Sequence, residues 1–223
     1  MGKLILVPTP IGNLEDITLR AIRILKEADA VLAEDTRTTG NLLKHFEIHN
    51  KLISYHQNNE HKVFERLVEE LKGDLTYALV TDAGTPGISD PGFLLTRACI
   101  EADIEVECLP GATAFVPALV VSGFPCEKFS YEGFIPHKKG RQSKLLEIID
   151  AEKTIVFYES PHRLLKTLAF LNENAAPERR IAVCRELSKK FEEIVRGPIA
   201  EVLEHFTTHT IKGEFVCVIE PKG

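Results

Sequence analysis

The chain has 223 residues, of which 44% are hydrophobic and 27% charged, the balance of an ordinary soluble globular protein with room for one large domain or two small ones. A formal net charge of −6 argues against a strongly basic nucleic-acid binder, although it leaves room for a local basic patch. No apolar run has the length of a membrane span, and the apolar stretch after Met1 is too short, and lacks a small-residue cleavage site, for a signal peptide.

Residues 4–7 are an apolar run that reads as the first strand. It ends in the Pro/Gly turn PTPIGN, residues 8–13, which is not the GxGxxG dinucleotide fingerprint. Asp16 or Thr18 then caps a helix with Leu19, Ile22 and Leu25 near helical spacing. Residues 30–33 are a second strand that runs straight into Glu34, Asp35, Thr36 and Arg37, a polar set that would also serve as the acidic first turn of a helix. A helix marked by Leu42, Leu43 and Phe46 follows, then a short strand at 52–55 and an amphipathic helix carrying Phe64, Leu67, Val68 and Leu71.

The densest signal is residues 76–92, TYALVTDAGTPGISDPG. Its apolar opening is a buried strand, and Gly84, Pro86, Gly87, Pro91 and Gly92 then forbid regular structure. A loop this rich after a strand marks the ligand edge of an open α/β sheet. It holds Asp82, Thr85, Ser89 and Asp90 but no Lys or Arg, so sugar hydroxyls, an amino group or a cation suit it better than phosphate. A helix to about residue 102 and a strand at 106–109 complete five strand–helix alternations, which predict a parallel sheet covered on both faces.

From residue 114 the pattern changes. Residues 114–123 are small and apolar and read as a buried helix. Strands are expected at 129–134, 154–158, 181–184, 192–195 and 215–219 with fewer helices between them, giving a mixed sheet. The expected fold is therefore α/β in two domains, residues 1–113 and 114–223. The stretch HKKGRQSK at 137–144 is the most basic in the chain and is either a solvated helix start or a phosphate-contacting loop. The five cysteines, Cys99, Cys108, Cys126, Cys184 and Cys217, are odd in number and never form CxxC, so they read as small buried residues in a reducing cytosol. No histidine has metal-ligand spacing, and no metal is expected.

Several stretches together resemble one family. They are VPTPIGNLEDIT at 7–18, AEDTR at 33–37, DAGTPGISDPG at 82–92, LPGATA at 109–114, GFIP at 133–136, YESPHRL at 158–164, CRELSKKFEE at 184–193 and KGEFV at 212–216. The chain looks like a tetrapyrrole methylase, and within that superfamily like the branch that methylates the ribose 2′-oxygen of a cytidine in 16S rRNA of the small ribosomal subunit. The resemblance implies S-adenosylmethionine as cofactor, held in a cleft between two α/β domains, a homodimer, and a cytoplasmic location. It implies cofactor contacts at Ile11, Gly84, Thr85, Ile88, Thr113 and Ala114, and from the second domain at Tyr158, Glu159 and Leu187. Thr85 stands where tetrapyrrole enzymes usually carry Asp. Longer members of the RNA branch extend beyond the KGEFV strand; with the sequence ending at Gly223, RNA contacts are expected from Lys138, Lys139, Arg141 and Lys144.

A ribose hydroxyl is a poor nucleophile while protonated, so methyl transfer needs alignment and a proton acceptor. Asp35 is expected as the base, with Glu34 and Glu186 as further candidates, and Arg37 as the group that positions a phosphate beside the target ribose. Two other functions share the fold: a tetrapyrrole carbon methyltransferase, and a non-catalytic RNA-binding protein. The AEDTR stretch and the basic loop argue against the first, and the negative net charge with no aromatic–basic surface pattern argues against the second.

Overall fold

Apolar runs of four or five residues, each stopped by a polar or Gly/Pro loop, dictate short buried strands joined by crossover helices. The computed structural model, which describes residues 2–222, has this form, and its contacts divide the chain into two compact units, residues 1–113 and 114–223.

In the first unit β1 (Lys3–Leu6), α1 (Leu19–Glu27), β2 (Ala30–Ala33), α2 (Thr36–His45), β3 (Leu52–Ser54), α3 (Glu60–Leu71), β4 (Thr76–Val80), α4 (Phe93–Glu101) and β5 (Glu105–Cys108) alternate. The strands form one wholly parallel sheet in the order β3-β2-β4-β1-β5. Alternate residues serve opposite faces. Leu4, Leu6, Ala30, Leu32 and Leu79 pack against α3 and α4, whereas Ile5, Val31, Ala33, Ala78 and Val80 pack against α1 and α2. Thr18, one of the two expected caps, accepts from the Ala21 N–H at 3.0 Å and starts α1. The outer strand β5 carries Glu105 and Glu107, which pair with Lys3 at 2.7 and 2.8 Å and give the sheet a charged edge.

The second unit contains α5 (Phe115–Ser122), β6 (Phe129–Phe134), α6 (Arg141–Ile149), β7 (Thr154–Glu159), α7 (Leu164–Asn174), β8 (Arg180–Arg185), β9 (Glu193–Pro198), α8 (Ile199–Thr208) and β10 (Phe215–Ile219). Its sheet runs β6-β7-β10-β8-β9, with β6 parallel to β7 and the other neighbours antiparallel, so it is mixed. Phe157, Ile181, Val183, Phe215 and Cys217 on one face share a core with α6, α7 and α8. The helix α5 lies against β7, β8 and β10. Its sequence reads as a buried helix, yet Val116 and Val120 remain 45% and 66% exposed. A helix resting on a sheet as a single layer buries only the side it rests on, here Ala118, Leu119 and Ser122. Among the described residues no helix is long and apolar enough to cross a membrane.

Candidate active site

Because all five strands of the first sheet are parallel, their carboxyl ends and following loops share one edge. Three of these loops are stitched together. Thr9 and Gly84 exchange both backbone hydrogen bonds at 2.9 Å, an isolated antiparallel bridge. The Thr85 hydroxyl donates to the Ala112 carbonyl at 2.9 Å. Gly111 lies so close to Pro8 that a Cβ there would stand 2.5 Å from the proline Cβ. A Cβ on Gly84, whose φ is +86°, would fill the space between Ile11 and the Ala112 carbonyl, at 3.7 and 3.9 Å. The structure thus brings Ile11, Gly84 and Thr85 together with the loop that leads to Thr113, and Ile88 continues the Thr85 turn through its N–H on the Thr85 carbonyl at 3.2 Å. Thr113 and Ala114 follow that loop, both half-buried.

Carboxylates gather at the same edge with different fates. Asp35 is the N-cap of α2: its Oδ1 accepts the Arg37 N–H at 2.8 Å, and the guanidinium holds both oxygens at 3.0 and 2.6 Å. Those bonds from Arg37 hold the Asp35 carboxyl down at about 2, which leaves it a weak base. This departs from the expectation that Asp35 accepts the proton. Arg37 keeps 88% of its side chain exposed, so its outer edge is available to a ligand. Glu34 and Asp82 behave oppositely. Burial is the largest influence on each and raises both carboxyls above the ordinary range. The Asp82 N–H points to Glu34 Oε2 at 3.4 Å, and the Asp35 N–H donates to Asp82 Oδ1 at 3.1 Å, which ties the ends of β2 and β4 together. His56, at the end of β3, has a buried Nδ1 with no hydrogen-bond partner. Among the described residues no group of three or more His, Cys, Asp or Glu side chains is arranged to hold a metal ion.

Four of the expected residues of the second unit, Glu159, Arg141, Lys144 and Glu186, have internal partners. Glu159 is 1% exposed, and both of its oxygens are engaged: Arg163 at 2.9 Å and the Ser160 N–H at 2.8 Å on one, Arg141 at 3.2 Å and the Thr167 hydroxyl at 2.6 Å on the other. Its carboxylate is an internal counterion and has no oxygen left for a cofactor. Arg141, expected among the RNA contacts, is half of that arrangement. Lys144 is likewise held between Glu132 at 2.5 Å and Glu147 at 3.3 Å. Lys138 and Lys139 are exposed, and among the described residues neither has such a pair. Glu186 accepts from Lys189 at 3.0 Å and from the Glu214 N–H at 2.9 Å; burial opposes its ionisation, but these partners outweigh it and lower its carboxyl. It fastens the β8 loop to the turn before β10 and is not a poised base. Leu187 is buried, and Tyr158 stands edge-on to Tyr131 and Phe134, with ring centroids 5.3 and 5.4 Å away.

The same architecture is found in crystal structures of uroporphyrin-III C-methyltransferase from Thermus thermophilus. One superposes with a TM-score of 0.70 at 22% identity over 99% of this chain and 94% of the other. A second, complexed with S-adenyl homocysteine, gives 0.66 at 19% identity over 98% and 97%. Likeness at that level of identity fixes the fold. The family model of the tetrapyrrole (corrin/porphyrin) methylases matches residues 3–203, and the chain belongs to this family. Among its relatives, the ribosomal RNA small subunit methyltransferase I of Halalkalibacterium halodurans is 49% identical over 100% of this chain and 77% of its own length. The protein of the same name from Thermotoga maritima is 44% identical over 100% of both chains.

Proposed function

We propose that this protein is an S-adenosylmethionine-dependent methyltransferase acting on 16S rRNA of the small ribosomal subunit, at the 2′-oxygen of a cytidine ribose. The observation that carries the reading is the identity of 49% and 44%, over 100% of this chain in both cases, to proteins named for small-subunit ribosomal RNA methylation, against 22% to a tetrapyrrole enzyme. The sheet edge fits such a cofactor. It offers carboxylates and hydroxyls, and no Lys or Arg lies within residues 76–92, where a phosphate-rich nucleotide would want cations. Ile11, Gly84, Thr85, Ile88, Thr113 and Ala114 would hold it. When bound, S-adenosylmethionine supplies a methyl group already activated on a sulfonium.

The protein's own residues then align the acceptor and take its proton. Glu34 is the acceptor of the 2′-hydroxyl proton, because burial makes it a stronger base than a free carboxylate. Asp35 caps α2 and steadies Arg37, whose exposed edge contacts the phosphate beside the target ribose. Lys138 and Lys139 add phosphate contacts that carry no sequence information. A cytoplasmic homodimer is part of the proposal.

The test is transfer of labelled methyl from S-adenosylmethionine to small ribosomal subunits prepared from cells lacking the activity, with the product mapped by nuclease digestion and mass spectrometry. Label on a cytidine ribose is expected. Label on a base, or none while calorimetry shows the cofactor bound, refutes the assignment.

A further inference from the structure

A cavity of about 220 Å³ opens at the carboxyl edge of the first sheet, between the loop after β1 and helix α2. Pro10, Leu14 and Leu42 supply apolar walls; Thr9, Thr38, Thr39 and Asn41 supply polar ones, joined by Thr81 and Asp82 just past the end of β4. The volume is below the roughly 300–1,000 Å³ of sites that enclose a drug-sized ligand, so it suits one planar ring and excludes a macrocycle.

Thr81 is the informative residue. It is 2% exposed, its carbonyl accepts from the Thr9 hydroxyl at 3.1 Å, and its own hydroxyl has no hydrogen-bond partner. A buried hydroxyl left unmatched lowers stability, and beside a cavity a polar group of a ligand can supply the missing partner. Asp82 has one oxygen accepting from the Asp35 N–H, and a carboxylate retains acceptor capacity beyond that single bond.

We propose that this cavity receives the base of the target nucleotide, turned out of its stack, and that Thr81 and Asp82 read its edge. The inference rests on the RNA methyltransferase reading above. Apolar walls match the two faces of an extruded base. A carboxylate accepts from an exocyclic amino group, as on cytosine, and opposes the carbonyl that uracil presents at the same place. A threonine hydroxyl both donates and accepts, and so satisfies the neighbouring ring nitrogen or carbonyl. The pocket therefore selects a small base bearing an amino group. Glu34, joined to the Asp82 N–H, stands beside it for the ribose of the same nucleotide.

Thr81→Val removes the hydroxyl at nearly constant volume. With small ribosomal subunits as substrate, kcat/KM is expected to fall about tenfold. Calorimetric affinity for S-adenosylmethionine should stay unchanged, and the melting temperature should hold or rise, because no unmatched group remains. The companion measurement uses subunits reconstituted with a cytidine-to-uridine change at the mapped nucleotide. The wild type should discriminate against uridine at least tenfold, and Asp82→Asn should narrow that ratio. Unchanged kcat/KM in Thr81→Val, or a loss matched by an equal loss of cofactor affinity, overturns the pocket while leaving the methyltransferase reading in place. Failure of the wild type to label any RNA overturns both.

Discussion

Glu159 is the residue for which the sequence-based expectation and the structure make opposite predictions, and Glu159→Gln separates them. The substitution keeps the shape of the side chain and removes only its charge. Arg141 and Arg163 would then face each other's surroundings without a counterion, at side-chain exposures of 16% and 13%. Removing one partner of a buried ion pair costs about 3–5 kcal/mol. Both arginines keep some access to water, so we discount this to about 2–3 kcal/mol. For a chain of this length, each kcal/mol moves the melting temperature by about 2–4 °C, and the expected fall is about 5–10 °C. The assay is thermal denaturation by circular dichroism, paired with calorimetric titration of S-adenosylmethionine at a temperature where the variant is folded. Reduced melting temperature with unchanged cofactor affinity supports the internal-counterion role. A melting temperature within a degree of wild type, with cofactor binding weakened tenfold, would refute it and restore Glu159 to the cofactor site.

The proton acceptor can be read from pH dependence. If Glu34 is the base, single-turnover methyl transfer has its acid limb above the ordinary carboxyl value of 4.5, because burial raises Glu34, and Glu34→Gln slows the step by about 10²–10⁴-fold. A limb near 2 would return the role to Asp35. Asp35 instead contributes to stability: its depressed carboxyl favours the fold above 3.8, and that contribution is lost as pH falls from 3.8 through about 2. Asp35→Asn should flatten this acid loss in urea midpoints measured across the same range, and an unaltered loss would place it elsewhere. Replacing Lys138 and Lys139 together by Ala should weaken subunit binding and reduce the slope of log affinity against log salt by about 1.4–1.8, the share of two phosphate contacts. Lys144→Ala should leave that slope nearly unchanged, and an equal reduction would show that its pairing with Glu132 and Glu147 opens on RNA.

The first unit was legible because its signals are local. A buried parallel strand is a continuous apolar run, as in residues 30–33 and 77–80, and a Gly/Pro cluster ends it whatever packs around it. Strand ends moved by one residue and no element changed type. The role of Gly111 was not legible: its crowding against Pro8, far away in the chain, gives LPGA a reason that does not depend on a ligand. The partial exposure of α5 was not legible. Composition says that Val116 and Val120 are apolar, and only the arrangement of layers says which side of the helix is covered. Thr81 and His56 escaped notice for a related reason. Each is one polar residue just past a strand, and an unmatched buried atom is a property of its neighbours.

The site residues divide by a rule that sequence alone does not contain. Glu34 and Asp35 are adjacent acids in AEDTR, yet one is a raised carboxyl and the other is held at about 2. Asp35 has the extended backbone of an N-cap, φ −115° and ψ 113°, which turns its short side chain back onto the Arg37 N–H and brings the guanidinium with it. Glu34, still on the strand's line, reaches the Asp82 amide, with burial and the nearby Asp82 and Asp35 carboxylates raising its carboxyl and His56 drawing it down. In the second unit every acid named as functional has its cation: Arg141 and Arg163 for Glu159, Lys189 for Glu186. Among the described residues neither Glu34 nor Asp82 has an ion-pair partner. A half-buried carboxylate matched by a cation is fixed as structure. One left unmatched at the carboxyl edge of a parallel sheet stays basic and can exchange a proton or accept from a ligand. By that criterion Glu34 and Asp82, rather than Asp35 and Glu186, are the carboxylates free to act in the proposed reaction, and Arg37 keeps an exposed outer edge.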